Sequence, residues 1–180
     1  MTQSYNKLVM NSQLINLIGA SAIAISDSIQ KAAEQTTGNT ASFPAALVII
    51  ERYPKITVDL LGQYLQLSQS GAARLVKRLV NQNLVERHQG NDRRSVHLQL
   101  TSDGKAMFDK IQQAKIEAVS KLLKPLNKEE QQLLLSFLSK MAWEYSNTEI
   151  QEEYICRFCD IHKCPLPGCR ERVEDWEEKD

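Results

Sequence analysis

Between residues 5 and 33 apolar side chains return every three or four positions, through Leu14 or Ile15, Ile18, Ala22, Ile25 and Ile29. That spacing marks one stripe of a long amphipathic helix. Thr36-Thr37-Gly38-Asn39 interrupts it. A second helix is predicted to open with Ser42 as N-cap and Pro44 in its first turn, where a missing N–H costs nothing. Its run Leu47, Val48, Ile49, Ile50 must stop by Tyr53, because Pro54 disfavours helix in the residue before it.

Two short helical segments follow, separated by a tight turn. Thr57 is placed to cap the first, which carries Leu60, Leu61, Tyr64 and Leu65. Ser68 is placed to cap the second, with Ala72, Leu75, Val76, Leu79 and Val80 inward. The period then changes. Residues 84–88 and 95–100 read as strands, the latter alternating Val96, Leu98 and Leu100 with Ser95, His97 and Gln99. Gly90-Asn91-Asp92 is the turn between them, so the pair is a β-hairpin. Helix resumes after Thr101-Ser102-Asp103-Gly104 and runs through Lys124, with Met107, Ile111, Ala114, Ala118 and Leu122 in register before Pro125. Asn127 and Glu130 form a capping-box-like start for the last long helix, through Leu134, Phe137, Leu138, Met141 and Tyr145.

The 180 residues suffice for one cored domain plus an appendage, with an ordinary globular share of 42% apolar and 24% charged residues. No apolar run approaches the roughly 18 residues of a membrane span. The stretch Leu14–Ile25 is broken by Asn16 and followed by Ser26-Asp27-Ser28, which lacks a small-x-small cleavage pattern, so a cytoplasmic protein is expected. The formal net charge is zero, but its distribution is uneven. Between Ser68 and Lys105 stand Arg74, Lys77, Arg78, Arg87, Arg93, Arg94 and Lys105 against Glu86, Asp92 and Asp103; acids dominate from Glu149 onward. A basic middle and an acidic end cancel in the sum, so neutrality does not exclude a nucleic-acid partner.

Two short helices crossing at a tight turn can set the second into a DNA major groove. The segment from Ser68 to Asn81 has the side chains for it. Its outer face carries Gln69, Ser70, Ala73, Arg74, Lys77 and Arg78. Small residues at its start permit close approach to base edges, and its capped N-terminus suits a phosphate. Arg74 is the candidate fork onto a guanine, with Lys77 and Arg78 on phosphates. Arg93 and Arg94 at the hairpin tip suit a narrow minor groove, with Asp92 orienting the neighbouring arginine.

In order and spacing these stretches resemble the MarR family of winged-helix transcription regulators. The likeness is carried by Leu67-Ser68-Gln69-Ser70-Gly71-Ala72-Ala73-Arg74-Leu75-Val76, Leu84-Val85-Glu86-Arg87, Asp92-Arg93-Arg94-Ser95-Val96 and Leu100-Thr101-Ser102-Asp103-Gly104, within about Ser42 to Met141. It implies a mainly α fold with a small β-hairpin: a dimeric winged helix-turn-helix with long N- and C-terminal dimerisation helices. The implied units are dimerisation helices at 1–34 and 102–149, a DNA-binding lobe at 35–101 and a tail at 150–180. The implied function is sequence-specific binding of double-stranded DNA, as a repressor-type homodimer on a pseudo-palindromic operator, with a small-molecule or redox effector.

All four cysteines fall in that tail, spaced Cys156-x2-Cys159-x4-Cys164-x4-Cys169. Four thiolates so close can surround one zinc ion tetrahedrally, and such closed sites are typically structural. The spacing misses the ferredoxin runs, which sets an iron–sulfur cluster behind zinc. Thiol oxidation or metal release would instead make the cluster a sensor. An alternative function is a zinc-dependent protein- or RNA-binding adaptor in which the tail is the working part. An enzyme is not expected, since His88 and His97 lie in the hairpin without a nucleophile or acid–base partner.

Overall fold

The computed structural model describes residues 12–89, 96–142 and 148–164. Helix α1 (Ser12–Thr37) leads into α2 (Ser42–Arg52), strand β1 (Ile56–Thr57), α3 (Val58–Tyr64) and α4 (Gln69–Asn81). Strands β2 (Val85–Gln89) and β3 (Val96–Leu100) follow, then α5 (Ser102–Leu123), α6 (Lys128–Ala142) and α7 (Glu149–Ile155). A 3-10 turn at Ile161–Lys163 comes last. The fold is mainly helical with one small antiparallel sheet, as expected.

The core is built around α2. Its residues Phe43 to Ile50 are all buried, as a helix apolar on every side must be. Against it pack Ala33 of α1, Leu61 and Tyr64 of α3, Leu75, Val76 and Leu79 of α4, Leu98 and Leu100 of β3 and Ile111 of α5. Phe158, beyond α7, belongs to the same cluster.

Most caps fall where the residue types put them. The hydroxyl of Thr57 accepts from Leu60 N at 3.3 Å, and that of Ser68 from Gly71 N at 3.2 Å. Asn127 and Glu130 exchange reciprocal bonds of 2.8 and 2.9 Å, a complete capping box. Ser42 departs from expectation, since it lies inside α2 and caps nothing. Ala41 precedes it in a helical conformation, and the carboxylate of Glu34 accepts from Ala41 N at 2.8 Å. Helix α1 also outruns its predicted end at residue 33. The hydroxyls of Thr36 and Thr37 bond back to the carbonyls of Ala32 and Ala33, and the helix closes at Gly38 with φ +65°.

The hairpin is one part of a three-stranded sheet ordered β1-β3-β2. Ile56 pairs with Leu98 and Thr57 with His97, while Val85 pairs with Leu100 and Gln89 with Val96. Leu98 and Leu100 are buried as the alternation predicts, whereas Val96 is 40% exposed. His97 Nδ1 donates to the carbonyl of Lys55, tying the middle strand to the approach of β1.

Helix α5 begins hard against the end of the lobe. Thr101 donates to Asn83 O at 2.6 Å and accepts from Gly104 N at 3.0 Å. A Cβ on Gly104 would stand 2.0 Å from the carbonyl oxygen of Leu84, so only glycine fits. Outside this junction α1, α5 and α6 keep much of their apolar surface in water. Leu17 is 66% exposed, Ile23 65%, Leu133 57% and Phe137 56%. The stripe read on α1 thus reaches the chain's own core only at its end, near Ile29.

Candidate nucleic-acid interface

Helices α3 and α4 cross closely because Gly62 faces Ala72, where a Cβ would meet that methyl at 3.0 Å. The turn between them runs through Gln66 at φ +53° and is closed by Leu67 N donating to Gly62 O at 2.8 Å. The apolar face of α4 is buried at Ala72, Leu75, Val76 and Leu79, whereas Val80, expected inward, is exposed. The opposite face leaves Gln69, Ser70, Ala73, Arg74, Lys77 and Arg78 exposed. Ser68, exposed at the cap, also lies 3.3 Å from the Ser70 hydroxyl. Three cations on one outward face, behind a helix N-terminus that carries partial positive charge, form an anion-seeking surface.

Arg78 is anchored as well as exposed. One of its Nη groups donates to Asn39 Oδ1, and its guanidinium stands 5.4 Å from the ring centroid of Phe43. It therefore braces α4 against the turn between α1 and α2. Arg74 and Lys77 are exposed on the same face.

Strands β2 and β3 project beside α4. Arg87 is exposed on β2, and His88 lies 3.0 Å from Glu86. Asp92, Arg93 and Arg94, the residues assigned to the hairpin tip, lie outside the described residues.

A second polar assembly, not foreseen from the sequence, sits where the tail meets the lobe. Arg52, buried at the end of α2, places Nη1 2.5 Å from Glu153 Oε2 of α7. Its Nη2 donates to the carbonyls of Cys156 and Cys159 at 2.8 and 3.0 Å. Tyr53 donates to the other oxygen of Glu153 at 2.7 Å, and Tyr64 to Glu149 at 2.6 Å. From α5, Lys115 Nζ donates to Phe158 O at 2.9 Å. Burial works most strongly against the charge of Arg52, but Glu153, Tyr53 and Cys159 together outweigh it, so the guanidinium holds its proton more firmly than a free one. Burial, reinforced by Glu153, pushes the Tyr53 phenol well above its usual range. Burial pulls the Lys115 ammonium down. The sequence offered one clue to this assembly, an arginine just beyond the apolar run Phe43–Ile50.

Of the four cysteines, three lie in described residues, and Cys169 lies outside them. A 2.7 Å bond from Cys159 N to Cys156 O turns the chain so that the two side chains meet. The hydrogen bond from Cys156, aided by Lys115 and Arg52 against the effect of burial, brings the Cys159 thiol down to about 6. Cys159 and Cys164 line one cavity of about 260 Å³ with Gln112, Lys115, Ile116 and Asp160. Among the described residues no three metal-capable side chains converge on one point.

Residues 44–95 match a family model described as the MarR family. No curated protein matches the chain. Among solved structures the chain is similar to wild-type MarR of E. coli in its apo form, with 25% identity and a TM-score of 0.60 over 76% of this chain and 98% of that one. It is similar also to YusO of Bacillus subtilis, 23% identical with a TM-score of 0.61 over 73% of this chain and 96% of that one. A mutant of S. aureus MepR, bound to an oligodeoxyribonucleotide, is 20% identical with a TM-score of 0.53, over 75% of this chain and 97% of that one. Residues 44–95 therefore resemble the MarR family, and the fold built around them is the one seen in MarR of E. coli and YusO of Bacillus subtilis.

Proposed function

We propose that this chain is a transcriptional regulator that binds double-stranded DNA sequence-specifically as a homodimer. The observation that carries the reading is the outward face of α4, where Gln69, Ser70, Arg74 and Lys77 stand exposed behind a capped N-terminus. Set into a major groove, Arg74 reaches a guanine edge and Lys77 a phosphate. Arg78 contacts phosphate with the guanidinium donors that Asn39 does not take. Arg93 and Arg94 enter the neighbouring minor groove from the hairpin, with Asp92 steering the fork beside it. The MepR complex with an oligodeoxyribonucleotide supports this use of the fold.

The homodimer follows from the apolar surface. Leu14, Leu17, Ile23, Leu133, Phe137 and Leu138 are exposed on helices at the two ends of the chain. Exposed apolar surface on this scale marks an interface. A second copy covers it isologously, which places two α4 helices on one side of a pseudo-palindromic duplex. Repression follows where that site overlaps a promoter, and a ligand or oxidant that shifts the two lobes relieves it.

The test is selection of bound sequences from random duplex DNA, repeated across a salt series. A palindromic consensus with affinity falling steeply with salt is expected. Recovery of unselected sequence at every salt concentration rejects the reading.

A further inference from the structure

The docking of the cysteine loop carries a conclusion about metal. We propose that Cys156, Cys159 and Cys164, with Cys169 from the sequence, take up one thiophilic divalent ion of the zinc class, and that the loaded loop locks the DNA-binding lobe onto α5. The clause about DNA rests on the function proposed above; the metal site and its grip on the lobe do not.

Three observations carry it. First, the Cys156–Cys159 turn brings two thiols together, and Cys159 shares a cavity wall with Cys164. A soft divalent ion is the ligand that thiols gathered on one short loop would take. Second, the surroundings match the charge of such a centre. Four thiolates around a divalent ion leave two net negative charges, and Lys115 stands against the same loop, while Arg52, already paired with Glu153, gives its remaining donors to the loop's carbonyls. Third, Gln112 is 6% exposed, lines that cavity and has neither end of its amide bonded. A buried amide without partners costs free energy. A metal-bound sulfur in the cavity accepts from Gln112 Nε2 and removes that cost, the kind of outer contact that orients and holds thiolate ligands.

The grip on the lobe is the same set of bonds seen from the other end. Arg52 belongs to α2 of the lobe and holds the carbonyls of Cys156 and Cys159. Lys115 belongs to α5 and holds that of Phe158 between them. A metal that fixes the loop fixes both attachments at once.

Reduced, metal-stripped full-length protein titrated with cobalt(II) should develop thiolate-to-metal absorption that saturates at one ion per chain and is bleached by zinc. Cys159→Ser should abolish the band, and Gln112→Leu should weaken cobalt binding by about tenfold. No thiolate band, or an undiminished one in Cys159→Ser, overturns the site; so does a Cys156–Cys159 disulfide that persists under reductant in place of metal binding. Zinc should slow amide hydrogen exchange at the end of α2 and in α3 of the wild type, and Lys115→Met should lose part of that protection. Unchanged exchange overturns the coupling. Loaded protein should bind duplex DNA at least tenfold more tightly than stripped protein, and equal affinity overturns metal control. If neither form binds duplex while the cobalt and exchange results hold, the DNA-binding function fails and the metal site stands.

Discussion

Arg52 and Glu153 meet 2.5 Å apart with side chains only 4% and 3% exposed, joining residues 101 positions apart in the chain. Two charges taken out of water are held by mutual attraction and by further hydrogen bonds, although Arg52 Nε stays buried with no partner among the described residues. Glu153 has Tyr53 on its second oxygen, and Arg52 has two carbonyls on its second nitrogen. Glu153→Ala therefore leaves a buried cation without its counter-charge and should cost about 3–5 kcal/mol in denaturant unfolding. The double variant Arg52→Met, Glu153→Leu should recover much of that loss. A double variant no better than the single one would show that the carbonyl contacts dominate.

Tyr53 gives the same cluster a pH dependence. Its phenol is raised in the folded protein by burial and by Glu153, so the folded state keeps this proton longer than the unfolded one does. The sign follows from linkage. Stability contributed by this group is complete below the unfolded value of 10.0 and is lost as pH rises beyond it. Tyr53→Phe should flatten the alkaline limb of the stability curve, while costing about 1–3 kcal/mol at neutral pH because Glu153 loses a donor. An alkaline limb of unchanged steepness in Tyr53→Phe would refute the assignment.

Gly104 makes a purely steric prediction. With Leu84 O 2.0 Å from the position of a Cβ, Gly104→Ala must push α5 away from the start of β2. The expected loss is about 1–3 kcal/mol, read as a lowered melting temperature.

On α4, Arg74→Ala should relax base preference at one operator position, by about 1–3 kcal/mol of discrimination. Lys77→Ala should weaken all sequences alike and reduce the salt slope by about one phosphate contact. Both residues are exposed, so neither variant should alter the melting temperature. The exposed Phe137 tests assembly: Phe137→Glu should convert a two-chain species to one chain in sedimentation. A wild type that already sediments as one chain would remove the homodimer.

Much of the fold was legible because its signals are local. The caps at Thr57 and Ser68, the Asn127–Glu130 box and the alternation through Leu98 and Leu100 each depend on residues within a few positions. The face of α4 was legible for the same reason. What escaped was set at a distance. Strand β1 has two residues, too few to show a period, and exists only because β3 offers it a partner. Glu149 and Glu153 read as part of an acidic tail, yet α7 turns them onto Tyr64, Arg52 and Tyr53. No spacing within the tail announces partners 85 to 101 residues earlier. Gln112 escaped likewise, since a helix pattern gives no sign that a tail will cover it.

The placement of β1 has a mechanical result. Its second residue, Thr57, both pairs with His97 of the middle strand and supplies the hydroxyl that starts α3. Hairpin and helix pair are thus mounted on one residue and cannot tilt independently. In the proposed homodimer an effector would therefore move each lobe whole, changing the gap between two rigid callipers and leaving the shape of either untouched.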